Sequence, residues 1–134
     1  MTKEEQADLY FLHLVEEGYA PQIDKDGDVV FKYEGGTWFL QIDERDPEFF
    51  RLVFPNFWSI ESDDERERVE RAALKATADT KVAKVFPVRE DTWASVEMFV
   101  SPPEGFRPVF RRYLAAVGAA VAAFRREMTS ADAD

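Results

Sequence analysis

Asp28-Val29-Val30-Phe31-Lys32-Tyr33-Glu34-Gly35-Gly36-Thr37-Trp38-Phe39-Leu40-Gln41-Ile42-Asp43 is the stretch whose reading decides the fold. Apolar and polar residues alternate on both sides of a glycine pair, which is the period of a strand and not of a helix. Glycine tolerates positive φ, so Gly35-Gly36 predicts the tip of a two-residue hairpin. That register pairs Tyr33 with Trp38, Phe31 with Leu40 and Val29 with Ile42, and all six large side chains share one face. The sheet so specified has a strongly apolar side.

Toward the N-terminus, Asp24-Lys25-Asp26-Gly27-Asp28 forms a polar turn ahead of the hairpin. It has the opening of a calcium loop, but Val29 and Gly35 stand where that loop needs glycine and a bidentate glutamate. The expected structure is a turn in which Gly27 supplies the unusual dihedral, with an adventitious calcium site as the alternative. Residues 3–17 predict a helix with Leu9, Leu12 and Glu16 on one stripe, widened by Tyr10, Phe11, Leu14 and Val15, and ended by Gly18. His13 lies in it as the one histidine of the chain, without a second imidazole to begin a metal cluster, and reads as a structural or surface residue.

Toward the C-terminus, Phe49–Phe54 predicts a third strand, halted by Pro55, with Phe50, Leu52 and Phe54 joining the apolar face. Phe57 and Trp58 precede a helix over 63–79, where Ser62 and Glu65 have capping-box spacing. Its inward stripe is Val69, Ala72, Ala73 and Ala76, and Asp64/Arg68 and Glu67/Arg71 are spaced as ion pairs on its wet side. A second hairpin with Glu90-Asp91 at its tip places Arg89 opposite Thr92, Val85 opposite Val96 and Lys84 opposite Glu97. Its core face carries Ala83, Val85, Pro87, Ala94, Val96, Met98 and Val100; Lys84, Phe86, Ser95, Glu97 and Phe99 lie on the other. Pro87 lacks an N–H, so its strand is expected at an edge or paired on one side only at that point.

The last helix is expected over about 106–128, with Pro108 in its first turn and a stripe of Phe106, Val109, Phe110, Tyr113, Leu114, Val117, Val121, Phe124 and Met128. Tyr113 through Phe124 carries no charged side chain and is too short for a bilayer, which needs about twenty residues. Three coverings are open: another element of the chain, a second copy, or solvent against small alanine side chains.

The chain has 134 residues, enough for one domain with a sizeable core, and 46% hydrophobic content excludes disorder. It has no cysteine, which excludes disulfides and thiolate chemistry, and the start Met1–Gln6 lacks a signal-peptide core; both fit a cytoplasmic protein. A net charge of −10 argues against nucleic acid as partner and permits a basic protein. No nucleophile elbow, phosphate-binding glycine loop or zinc-binding helix motif is present. A carboxylate pair is the remaining catalytic option, but among 27 acidic residues some pair always lies at a suitable distance. The chain is read as a non-enzyme, with no catalytic residue, metal or cofactor.

The order helix, three strands, helix, two strands, helix resembles the YbjN-like family of bacterial sensory transduction regulators, whose fold is similar to type III secretion chaperones. The residues that carry the resemblance are Asp26-Gly27-Asp28, Gly35-Gly36, Phe49–Phe54, the alanine-bearing helix leading to Lys81-Val82-Ala83-Lys84-Val85, and Pro103-Glu104-Gly105-Phe106. The expected fold is α+β, an antiparallel sheet of about five strands packed with three helices. The resemblance implies a non-enzymatic protein-binding domain, chaperone-like or regulatory, homodimeric, that holds a segment of a partner against apolar patches and sheet edges. Candidate contact residues are Val30, Lys32, Phe39, Gln41, Arg51 and Val53 on the sheet's second face, with Phe57 and Trp58; for Phe39, Phe57 and Trp58 ordinary core is the competing reading. The alternative function is a small-molecule or ion sensor, or an unrecognised enzyme, with a pocket between sheet and last helix walled by Tyr33, Trp38 or Tyr113.

Overall fold

The alternating stretches become strands and the periodic ones helices in a computed structural model, which describes the backbone of residues 1–133 and the side chains of residues 1–130. The order is α1 (Lys3–Glu16), β1 (Gln22–Ile23), β2 (Val29–Tyr33), β3 (Gly36–Gln41), β4 (Phe49–Phe54), α2 (Asp63–Asp79), β5 (Ala83–Val88), β6 (Asp91–Phe99), a 3-10 segment (Pro103–Val109) and α3 (Phe110–Ala133). The fold is α+β: six strands form one antiparallel sheet in the order β1-β2-β3-β4-β6-β5. The strand beyond the expected five is β1, two residues too short to show an alternating pattern. The chain makes two compact units, Met1–Val53 with Glu97–Arg111, and Phe54–Val96 with the chain from Arg112 onward.

In the first unit, Thr2 and Glu5 close a full capping box at the start of α1. Its end is a Schellman motif, in which Gly18 N–H donates to Val15 C=O and Tyr19 N–H to Leu14 C=O, with Gly18 at φ +91. The inward stripe differs from the expected one. Gln6, Tyr10, His13 and Leu14 are buried, whereas Leu12 and Val15 are half exposed. Buried Gln6 is satisfied by donating to Tyr10 Oη at 2.8 Å and to Pro47 C=O at 2.9 Å. Tyr10 then meets Phe106 edge-on at 4.9 Å and Phe50 at 5.9 Å, so an aromatic cluster sets the helix rotation.

The first hairpin turns one residue earlier than expected. Glu34 (φ +49) and Gly35 (φ +78) form the tip, and Tyr33 faces Gly36, Phe31 faces Trp38 and Val29 faces Leu40. The left-handed cost of a non-glycine residue at position 34, about 1 kcal/mol, is offset across the ladder: the Trp38 indole N–H donates to Tyr33 C=O at 3.2 Å, the two rings lie 5.7 Å apart, and Lys32 bonds the Thr37 hydroxyl. Pairing slips by two residues, so every side chain keeps its face. Val29, Phe31, Trp38 and Leu40 are buried as the pattern requires. The Asp24–Asp28 turn is closed by its own chain: Asp24 Oδ1 accepts the N–H groups of Asp26 and Asp28 at 2.9 and 3.0 Å, and Gly27 sits at φ +85 beneath the Lys3 stem.

In the second unit, Ser62 caps α2, but Glu65 reaches back to the Glu61 N–H instead of Ser62, so the box is half formed. Val69, Ala72, Ala73 and Ala76 are its buried stripe, as expected. The second hairpin also turns one residue early, at Arg89-Glu90, pairing Val88 with Asp91, Val85 with Ala94 and Lys84 with Ser95. Arg89 absorbs the turn at φ +54. Again the faces are preserved, and Ala83, Val85, Ala94 and Val96 are buried; Ser95, on the opposite face, is buried too. The expected last helix begins as a 3-10 segment that contains Pro108, and becomes α-helical at Phe110. Leu114, Val117, Ala120, Val121 and Phe124 are buried, while Ala115, Gly118, Ala119 and Ala122 face solvent. Within the Tyr113–Phe124 stretch, the chain itself covers Leu114, Val117, Val121 and Phe124 together with Ala120, Tyr113 is half-buried, and four of the small residues are left in water.

Candidate functional site

The second face of the sheet in the first unit is built by register. Val30 pairs with Phe39, and Phe39 with Val53, forming one row across three strands; Gln41 pairs with Arg51 in a second row. Arg51 donates through Nη1 to Gln41 Oε1, and its Nε lies 3.3 Å from Glu97 Oε1. Gln41, Arg51 and Glu97 therefore make a polar strip whose planar guanidinium is held in place from both sides. Phe49 and Phe99 meet beside it at 6.1 Å. Phe99 is 77% exposed, the highest value among the large apolar residues.

Of the expected contact residues, Val30, Phe39, Gln41 and Arg51 are half-buried and Lys32 is exposed, all in this unit. Val53, paired with Phe39 in the same row, is fully buried and offers no surface. Phe57 and Trp58 belong to the second unit and are fastened there. The Phe57 N–H donates to Thr92 C=O, the Thr92 hydroxyl donates to Trp58 C=O, and both rings meet Phe124 edge-on at 5.4 and 5.6 Å. Arg125 lies 5.8 Å over Phe57, and the Trp93 indole N–H donates to Asn56 Oδ1. These contacts give both aromatics a structural task.

Phe49 and Phe99 were not among the expected contact residues. The signal was strand parity: 49 and 51, like 97 and 99, point the same way, so an exposed Arg51 face carries both phenylalanines. Alongside opens a cleft of about 620 Å³ lined by Lys3, Asp28, Gln41, Arg45, Phe49 and Arg51 among others. Burial raises the Asp28 carboxyl above its ordinary range, opposed by the Ile42 N–H that it accepts at 2.9 Å. Among the described residues no group of three or more histidine or carboxylate side chains is placed to hold a metal ion. Among them also, no helix is long and apolar enough to cross a membrane.

The edge formed by β5 is closed to strand addition. Because Val88 and Asp91 close the hairpin, Ala83, Val85 and Pro87 turn their peptide groups outward. Ala83 N–H donates to Lys81 C=O at 2.7 Å in a γ-turn around Val82. Val85 N–H donates to the Thr77 hydroxyl at 2.9 Å, which returns a longer bond to Val85 C=O. Pro87 has no N–H. All three outward donor positions are thus occupied or missing. The opposite edge, β1, is two residues long and follows Pro21.

No protein-family model and no curated protein matches this chain.

Proposed function

We propose that the chain is a non-enzymatic protein-binding domain, chaperone-like or regulatory, that holds a segment of a partner against the half-exposed sheet face around Phe99, Phe49, Phe39 and the Gln41–Arg51–Glu97 strip. The observation that carries the reading is Phe99, a large aromatic left 77% exposed beside a second phenylalanine and a pinned polar strip. An apolar anchor with ordered polar groups at its rim is the usual anatomy of a protein contact. The closed β5 edge directs a partner to the face. The resemblance to YbjN-like proteins and type III secretion chaperones supports the same class, and a net charge of −10 suits a basic partner in the cytoplasm.

A photo-crosslinking residue in place of Phe99 tests it, with the same residue in place of Leu74, 74% exposed on α2, as the control for mere exposure. One reproducible protein adduct at position 99, absent at 74 and lost when Arg51→Glu is added, is the expected result. Equal labelling at both positions would show indiscriminate apolar contact. The reading includes a homodimer, checked by sedimentation at micromolar concentration against the 15.5 kDa mass of one chain.

A further inference from the structure

His13 is 5% exposed, near the C-terminal end of α1, with its ring edge-on to Phe106 at 4.9 Å and to Phe110 at 5.5 Å. Its Nε2 is buried without a hydrogen-bond partner. The nearest carboxylate oxygen is Glu17 Oε1, at 3.9 Å. The other oxygen of the same carboxylate, Oε2, accepts from Arg111 Nε at 3.1 Å and from Arg111 Nη2. One helix position earlier, Glu16 lies 3.9 Å from Arg107. The charged groups around the imidazole are therefore Glu16 and Glu17 from α1, Arg107 from the 3-10 segment and Arg111 from α3. Two carboxylates and two guanidiniums balance while the ring is neutral. A proton on His13 adds a third cation against two phenylalanine rings, and Glu17, at 3.9 Å, is the carboxylate placed to approach it.

We infer that His13, Glu17 and Arg111 form an acid-sensitive latch, in which a proton on His13 draws the Glu17 carboxylate off Arg111 and loosens the fastening between the end of α1 and the start of α3. Two features of the geometry support it: the carboxylate already stands between its two competitors, and the imidazole nitrogen facing it has no other partner. Burial holds His13 below its ordinary value of 6.5, and Arg107 and Arg111 act the same way, against the opposite pull of Glu17 and Glu16. The opened chain therefore takes up the proton first as pH falls. The latch is fully closed above pH 6.5 and weakens below it, with the opening equilibrium rising by up to about tenfold per pH unit.

Because the chain has one histidine, its imidazole resonances report this site alone. The experiment is an NMR titration of wild type, Arg111→Gln and Glu17→Gln, with protection factors of the α1 amides at about pH 7.5 and about pH 5.5. Both substitutions are at the surface end of the cluster, outside the core. Wild-type His13 is expected to titrate below 6.5. Arg111→Gln should raise the midpoint by freeing Glu17, and Glu17→Gln should lower it further. Wild-type α1 protection, corrected for intrinsic exchange, should fall several-fold or more between the two pH values, and fall less in Arg111→Gln. Identical midpoints in all three proteins, or protection independent of pH, would overturn the latch.

Discussion

At position 82 a β-branched side chain sits at φ +56 and is 62% exposed, a combination with no packing gain to balance its strain. The γ-turn it makes occupies the Ala83 N–H at the sheet edge. Asparagine tolerates the left-handed region better, so Val82→Asn is expected to raise the unfolding free energy by about 1 kcal/mol, measured by urea denaturation. No local cue foretold this conformation, since valine is among the residues least suited to it. His13 was legible as a lone imidazole but not as a buried one. Apolar residues occupy every side of α1, from Leu9, Tyr10 and Phe11 to Leu12, Leu14 and Val15, and the helix phase is set by Phe50 and Phe106, far along the chain.

Among the elements, the hairpins show what the sequence determines and what it leaves open. Alternation assigned every face of β2, β3, β5 and β6, and both registers were displaced by two residues, because Glu34 and Arg89 accept positive φ that glycine or a polar pair was expected to supply. The missing N–H of Pro87 points to an edge, and β5 is the last strand in the sheet. What no spacing rule revealed is that Thr77, a helix residue, seals that edge. Thr77→Val keeps the shape and removes the hydroxyl that serves Val85, leaving its N–H unpaired. The expected loss is about 1–2 kcal/mol in denaturant unfolding, accompanied by faster aggregation in light scattering as the edge opens.

For the molecule as a whole, the uncharged run in α3 poses the question of covering most directly. A Cβ built on Gly118 meets nothing within 4 Å, and the glycine lies on a solvent face with Ala115, Ala119 and Ala122. Gly118→Ala is therefore expected to stabilise the chain by about 0.5–1 kcal/mol, read from thermal or urea unfolding, with the sedimenting mass unchanged. A loss of stability or of mass would show that another helix rests there. The core-facing side of this helix was readable from its period, whereas the environment of its small side depends on burial, which alanine spacing does not encode. The candidate face was half readable: parity placed Val30, Phe39, Gln41, Arg51 and Val53 on one side of the sheet, but alternation encodes the side and not the exposure, and Val53 on that side is fully buried. Occupied or missing donors along β5 also bear on specificity. If the proposed function holds, a bound segment would gain no ladder of main-chain hydrogen bonds from that edge, and its recognition there would have to be written in side chains. Proline placed stepwise along a captured partner peptide should be tolerated at most positions, while scrambling its order at constant composition should abolish binding, the reverse of what an added strand would show.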